Sequence, residues 1–267
     1  MTDPGPLVIA HRGSSAVAPE HTLAAYRQAV LEGADVLECD VRLTRDGQLV
    51  CVHDRRVDRT SDGTGKVSLL ELEDLSTLDF GSWHGISQAA QDEAAFVDAD
   101  RRQVLTFDTL LKFWLTVDRP VGLYVETKHP TRYAGLVEQR LVETLREHGL
   151  TDPTDLATSP VSVMSFSAVG LRRVRLLAPQ LPRVFLIKRR LPQLRRDGVL
   201  PYAVHRVGLS ISLMRANPEF VGAAHARGHR VNVFTVNQPE DVELVLGLGV
   251  DGIITNRPAD VVRRLGR

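Results

Sequence analysis

A chain of 267 residues in which 33 Lys and Arg balance 33 Asp and Glu offers no net charge to a nucleic acid or an acidic membrane surface. Met1 to Pro6 lacks the charged start and apolar run of a leader, no later stretch approaches a membrane span, and the two cysteines, Cys39 and Cys51, lack the C-x-x-C spacing of a metal site. The expected setting is cytoplasmic, without a membrane anchor, and the expected partner is a small molecule.

Leu7 to Ala10 is a short apolar run that ends at His11-Arg12-Gly13, the pattern of a buried parallel strand running out into a polar loop. Pro19-Glu20-His21-Thr22 opens an amphipathic helix, with Leu23, Tyr26, Ala29 and Val30 on one face, that stops at Glu32-Gly33. Val36 to Val41 is the second strand. Alternation along it points Glu38 and Asp40 one way and Leu37, Cys39 and Val41 the other. Asp46-Gly47 reads as a hairpin turn, and pairing outward from it sets Leu43 near Val50, Val41 near Val52 and Asp40 almost opposite His53.

Arg55 to Pro120 reads as an insertion in a single domain spanning 1–267. Ser61 to Gly65 has turn chemistry, and Ser68 with Glu71 predicts a capping box for a helix through about Leu78. Gln88 to Gln103 is polar and Ala-rich, and a mobile surface excursion is expected there because Phe96 and Val97 can bury little area. Thr106 to Val117 is a helix carrying Leu110, Leu111, Phe113 and Trp114. Strand-like runs follow at 121–126, 161–166, 183–187, 206–211, 231–236 and 252–255, separated by helical stretches such as Leu136 to Glu147 and Glu240 to Leu248. With the first two strands this makes eight. Eight βα repeats in roughly 250 residues predict a closed α/β barrel of the TIM (β/α)8 type, with its site at the C-terminal ends of the strands. A doubly wound open sheet is the alternative, but no G-x-G-x-x-G follows the first strand.

Two carboxylates side by side on a half-buried strand repel each other, so Glu38 and Asp40 need a cation, a shared proton or a basic neighbour, and a metal is the simplest answer. The barrel places His11 and Arg12 at the end of the first strand, Glu38 and Asp40 at the second, and Glu126 and Lys128 at the third, so three strands deliver charge to one rim. A third carboxylate makes an all-oxygen set that suits Mg²⁺ or Ca²⁺ better than zinc. His11 and His53 are then free for proton transfer. Taken singly these residues have plainer roles: Arg12 and Lys128 as ion-pair partners of Glu20 or Glu126, and Asp54 as an acceptor of backbone hydrogen bonds. Arg59, Thr60 and Gly63 could simply form a tight turn. His21, His84, His129 and Met164 read as structural.

HRG at the first strand, P-E-x-T, E-x-D-V-x-L-T-x-D-G, V-x-H-D, R-T-x-D-G-T-G, E-T-K and the late T-V-N and G-I-I-T-N-R-P together resemble the glycerophosphodiester phosphodiesterase family, from His11 to Pro258. The resemblance implies a metal-dependent hydrolase that cleaves glycerophosphodiesters to glycerol 3-phosphate and an alcohol. It implies that Glu38, Asp40 and Glu126 hold one divalent ion, Mg²⁺ or Ca²⁺, and that His11 and His53 are general base and acid. Arg12 and Lys128 would offset charge on the phosphodiester. Two positions depart from the family pattern. His21 stands where asparagine is usual, and Phe234 where tryptophan is common, which keeps an apolar wall beside the substrate but removes the indole donor. A lysophospholipase D or related lyase on the same barrel is the near alternative and requires an apolar rim among Phe80, Trp83, Phe96, Phe166 and Phe234. A catalytically silent phosphate-binding barrel is the distant one.

Overall fold

Runs such as LVIAH and GIIT are apolar at successive positions and must be covered on both faces, which parallel strands ringed by helices achieve. The computed structural model describes residues 5–85, 98–155, 159–189, 200, 204 and 206–267. Chain order is β1 (Leu7–His11), α1 (Leu23–Leu31), β2 (Val36–Leu43), β3 (Leu49–Cys51), α2 (Leu72–Ser76), α3 (Asp98–Arg102), α4 (Phe107–Leu115) and β4 (Gly122–Thr127). There follow α5 (Leu136–Glu147), β5 (Val161–Ser165), α6 (Ala168–Leu177), β6 (Arg183–Ile187), β7 (Arg206–Ser210), α7 (Ile211–Ala216) and α8 (Phe220–His225). The chain closes with β8 (Arg230–Phe234), α9 (Pro239–Gly247), β9 (Gly252–Thr255) and α10 (Pro258–Arg264).

All these strands except β3 are parallel to their neighbours, in the order β1-β2-β4-β5-β6-β7-β8-β9, and β1 closes the ring by pairing with both β2 and β9. This is the expected eight-stranded α/β barrel. Ile9, Val36, Tyr124, Met164, Val184, Leu186 and Ile254 fill its interior. Two larger apolar shells lie outside the ring, one around Leu37, Leu110, Leu123 and Leu141 and the other around Val207, Val231, Val245 and Ile253. A satellite core of Val50, Val52, Val57, Val67, Leu75 and Phe80 ties the early part of the insertion to the hairpin. Among the described residues no helix is long and apolar enough to cross a membrane.

Three local expectations are corrected. In the hairpin Leu43 faces Leu49 and Val41 faces Cys51, one residue away from the expected register. The cause is the turn: the Thr44 amide donates to Gln48 O at 3.0 Å, so Arg45, Asp46 and Gly47 form a three-residue loop with Gly47 at φ +82°, rather than a two-residue Asp-Gly turn. The Val52 amide then donates to Asp40 O at 3.1 Å, and it is Val52, not His53, that lies against Asp40 in the ladder. The capping box also moves. Val67–Leu69 is a 3₁₀ turn, and the box is built by Glu71 with Asp74 at the start of α2. Of the expected excursion, residues 88–97 lie outside the described residues, while Asp98–Arg102 is helical and pinned, with Arg27 Nε 2.8 Å from Asp100 and the Phe80 amide donating to Arg102 O.

Candidate active site

The rim begins where β1 turns back over the barrel. Arg12 has φ +60° and its amide donates to both the carbonyl and the side chain of Glu38, at 3.1 and 2.9 Å. Gly13 follows at φ +81°, and a Cβ there would lie 2.6 Å from the Ala25 carbonyl carbon, so only glycine lets the loop rest on α1. The Thr22 hydroxyl caps α1 by accepting from the Ala25 amide.

Register does the rest. His11 is opposite Glu38 across β1 and β2, and Asp40 is opposite Glu126 across β2 and β4. Alternation turns all three carboxylates inward, and oxygens of Glu38, Asp40 and Glu126 lie within 4.8 Å of one another. Three cations face Asp40: Lys128 Nζ at 3.4 Å, Arg12 Nε at 3.2 Å and, if protonated, His21 at 2.9 Å. Lys128 Nζ is also 2.9 Å from Glu126.

Burial pushes all three carboxyls up, and their neighbours then separate them. Asp40 is carried well below the carboxylate range by Lys128, His21 and Arg12. Glu38 stays high because Asp40 and Glu126 add like charge, and Glu126 is raised to about 8 by burial and Asp40 together. A nest of buried carboxyls short of positive charge, with only oxygen donors, fits a hard divalent cation.

Two histidines flank the nest. His11 Nδ1 is 2.6 Å from Asn256 Oδ1, an oxygen that only accepts, so the ring carries its proton there and leaves Nε2 with a lone pair. Burial, then Arg12, lowers its pKa to about 3. His53 follows β3, its carbonyl gripped by Arg42 Nε and Nη2 at 3.0 and 2.7 Å, and its Nδ1 donates to Asp54 Oδ1 at 2.6 Å. Burial lowers His53 to about 4 against the opposing pull of Asp40. Arg59 joins the two loops, donating to Asp54 at 2.6 Å and to Glu20 at 3.0 and 2.6 Å, while Arg12 reaches Glu20 from the other side at 3.0 Å.

These groups open on a cavity of about 430 Å³ lined by His11, Arg12, Glu38, His53, Glu126, Lys128 and Phe234. Of the residues to which the sequence assigned a catalytic, phosphate-binding or metal-binding part, only Asp40, 1% exposed, lies behind the lining. Opposite the charges stands an apolar wall of Met164, Phe166, Leu186, Ile211 and Ile254, in which Phe166 meets Phe234 edge to face at 5.7 Å. Met164, expected to be structural, is part of that wall. His21, expected likewise, is a direct partner of Asp40 and meets the Tyr26 hydroxyl with Nδ1 at 2.8 Å. His84 and His129 do stay away from the cavity lining, bonded to Ser15 O and to Glu138. Sequence reasoning missed Lys188, Ser210 and Ser212, and quoted Thr235 within T-V-N without giving it a part, although all four line the cavity. Each lies at or just past the C-terminal end of a barrel strand, the one signal that could have found them.

The glycerophosphoryl diester phosphodiesterase family model matches residues 11–260. A Mycobacterium tuberculosis protein named probable glycerophosphodiester phosphodiesterase 1 is 44% identical over 254 residues, covering 95% of this chain and 90% of that protein. A Bacillus subtilis glycerophosphodiester phosphodiesterase is 32% identical over 253 residues, covering 94% of this chain and 84% of its own. Among solved structures, an Oleispira antarctica phosphodiesterase in complex with the product sn-glycerol-3-phosphate superposes with a TM-score of 0.83, at 27% identity and 98% coverage of each chain.

Proposed function

The chain belongs to the glycerophosphoryl diester phosphodiesterase family, and we propose that it hydrolyses glycerophosphodiesters to sn-glycerol 3-phosphate and an alcohol, using one divalent cation and a pair of histidines. The observation that carries this reading is the convergence of His11, His53, Glu38 and Glu126 on one cavity, with Asp40 clustered directly behind the two glutamates. Glu38, Asp40 and Glu126 would hold the ion, and the all-oxygen set favours Mg²⁺ or Ca²⁺. When bound, the ion supplies Lewis-acid stabilisation of charge on the phosphoryl oxygens.

Arg12 and Lys128 offset the remaining charge of the phosphodiester. His11, neutral and with Nε2 free, takes the proton of the attacking hydroxyl, whether that belongs to the neighbouring glycerol carbon or to water. His53 gives its proton to the leaving alcohol oxygen. Asp54 suits it to that part, because a carboxylate on Nδ1 stabilises the imidazolium, and the negative charge of a bound phosphodiester opposes the lowering of its pKa. Phe234 contributes wall and no hydrogen bond. We read residues 1–267 as one barrel domain carrying its insertion at 55–120, and the buried free thiols of Cys39 and Cys51 suit a reducing, cytoplasmic setting.

The test is glycerol 3-phosphate release from glycerophosphocholine by wild type and His53→Ala, after chelation and after Mg²⁺ or Ca²⁺ is restored. Release that needs the ion and falls by about 10²-fold or more in the variant is expected. Unchanged release in His53→Ala would remove the acid from this scheme. A second reading has one observation behind it: Phe166 is 42% exposed at the mouth of the apolar wall, a place where an acyl chain could lie. Phe80 is buried in the satellite core, and Phe96 lies outside the described residues. Cleavage of lysophosphatidylcholine in preference to glycerophosphocholine would favour the acyl substrate; cleavage of neither would favour a silent phosphate-binding barrel.

A further inference from the structure

At the opposite end of the barrel a second cavity of about 270 Å³ opens among the first residues of β5, β6, β7 and β8, and it shares no lining residue with the cavity above. Arg183, Arg206 and Arg230 line it. Arg206 is opposite Val184 on one side and Arg230 on the other. Because Val184 belongs to the barrel interior, this row faces inward, and Arg206 reaches into the bottom of the barrel.

Arg206 is the anomaly. Its guanidinium sits 5.5 Å over the ring of Tyr124, and among the described residues no acceptor hydrogen-bonds or ion-pairs with it. Burial, and then Arg230 beside it, disfavours its charge. Asp251 pulls the other way but is committed, accepting from the Val231 amide at 2.7 Å, lying 2.8 Å from His225 and pairing loosely with Arg230 at 3.6 Å, a pair that a bound anion would have to share. Asp155, the acid on the cavity wall, is likewise engaged. Arg183 is held in place by donating to Pro179 O and Leu181 O at 3.2 and 3.0 Å. Among the described residues this largely buried cation has no hydrogen-bonded counter-charge, an arrangement that costs stability and favours an anionic ligand.

We propose that this cavity binds a small phosphate dianion, free or carried on a short carbon stem, between the guanidinium forks of Arg206 and Arg230. Planar guanidinium suits tetrahedral phosphate, since each fork can meet two oxygens. Ser162 adds a hydroxyl, and Leu181 and Val184 offer apolar wall to a stem. The volume is near the lower end for small-molecule sites. The site is independent of the reaction at the other rim.

The experiment titrates inorganic phosphate and, separately, sn-glycerol 3-phosphate calorimetrically into the full chain carrying Lys128→Ala, which weakens anion binding in the upper cavity. The same titrations are run with Arg206→Gln or Arg230→Gln added. Saturable binding that persists in Lys128→Ala and weakens about tenfold or more with either arginine substitution is expected. Tighter binding of glycerol 3-phosphate assigns the stem to the apolar wall; equal binding assigns free phosphate. No binding, or binding indifferent to both arginines, overturns the proposal. Arg230 is 58% exposed, so its variant is a safe test of folding as well. Arg206→Met supplies a second readout: in phosphate-free buffer its Tm rises if the cation is unpaired, and a fall would make Arg206 a structural plug and count against the site.

Discussion

Glu20 is where the two loops of the upper rim meet, taking Arg12 from one and Arg59 from the other. Burial pushes its carboxyl up, but the hydrogen bonds from Arg59 and the charge of Arg12 outweigh that and carry it from an ordinary 4.5 to about 2. The sign follows from which state takes the proton first. The unfolded chain does, so this contribution is full above about 4.5 and is lost as pH falls through about 2. Glu20→Gln should therefore lose about 2 kcal/mol in urea melts at pH 7, with the gap to wild type closing as the pH is lowered. Glu38 and Asp40 were legible as one face of a strand through alternation, and Glu126 joined them only through the barrel reading that brings the third strand's end to the same rim. His11 was legible as a strand-end histidine, while His53 was expected opposite Asp40 in the hairpin, a place that Val52 takes. The hold of His21 on Asp40 was not legible, since it depends on the φ +60° turn that swings His21 under the loop. Lys188 and Ser212 carry no local pattern at all and become part of the site only because neighbouring strands end together.

At the scale of an element, the loop between β1 and α1 is the least forgiving. Gly13→Ala must accept both a left-handed backbone and overlap with the backbone of Ala25, and about 2–4 kcal/mol of destabilisation is expected, read as a lower urea midpoint at unchanged m. Activity should fall with it, since His11 and Arg12 ride on the same turn. Gly47→Ala is the contrast: the same left-handed φ at +82° but open space around the Cβ, so about 1 kcal/mol and no loss of activity. The hairpin also shows where sequence reasoning ran out. Asp46-Gly47 fits a two-residue turn and a three-residue loop equally well, and the choice was made by Thr44, whose hydroxyl bonds Asp46 Oδ1 at 2.5 Å and accepts from the Gln48 amide at 2.8 Å. The capping box moved for a similar reason: Val67 is drawn into the satellite core, which tightens the chain there into a 3₁₀ turn.

For the whole molecule, the barrel was legible because the strand runs recur with helical stretches between them, and several bounds, such as β6 and α5, match to the residue. Its two ends differ in chemistry: the upper rim gathers acids and bases around a carboxylate nest, the lower mouth gathers arginines. A ligand that binds only the folded barrel stabilises it by mass action. Mg²⁺ or Ca²⁺ at about a hundredfold excess over Kd should add about 2.7 kcal/mol and raise Tm in a thermal scan. Asp40→Asn should abolish that rise; a rise that survives the substitution would place the ion elsewhere.

His21 has a consequence of an evolutionary kind. Its ring spans Asp40 on one side and the Tyr26 hydroxyl on the other, and that hydroxyl also reaches Glu38 O at 3.2 Å. A shorter asparagine at this position could not bridge both, and would leave the phenol with the Glu38 carbonyl alone. The two positions are therefore coupled: exchanging His21 takes a partner from Asp40 and from Tyr26 at once, and exchanging Tyr26 takes the hydroxyl from His21 Nδ1, so a change at one alters the selection on the other.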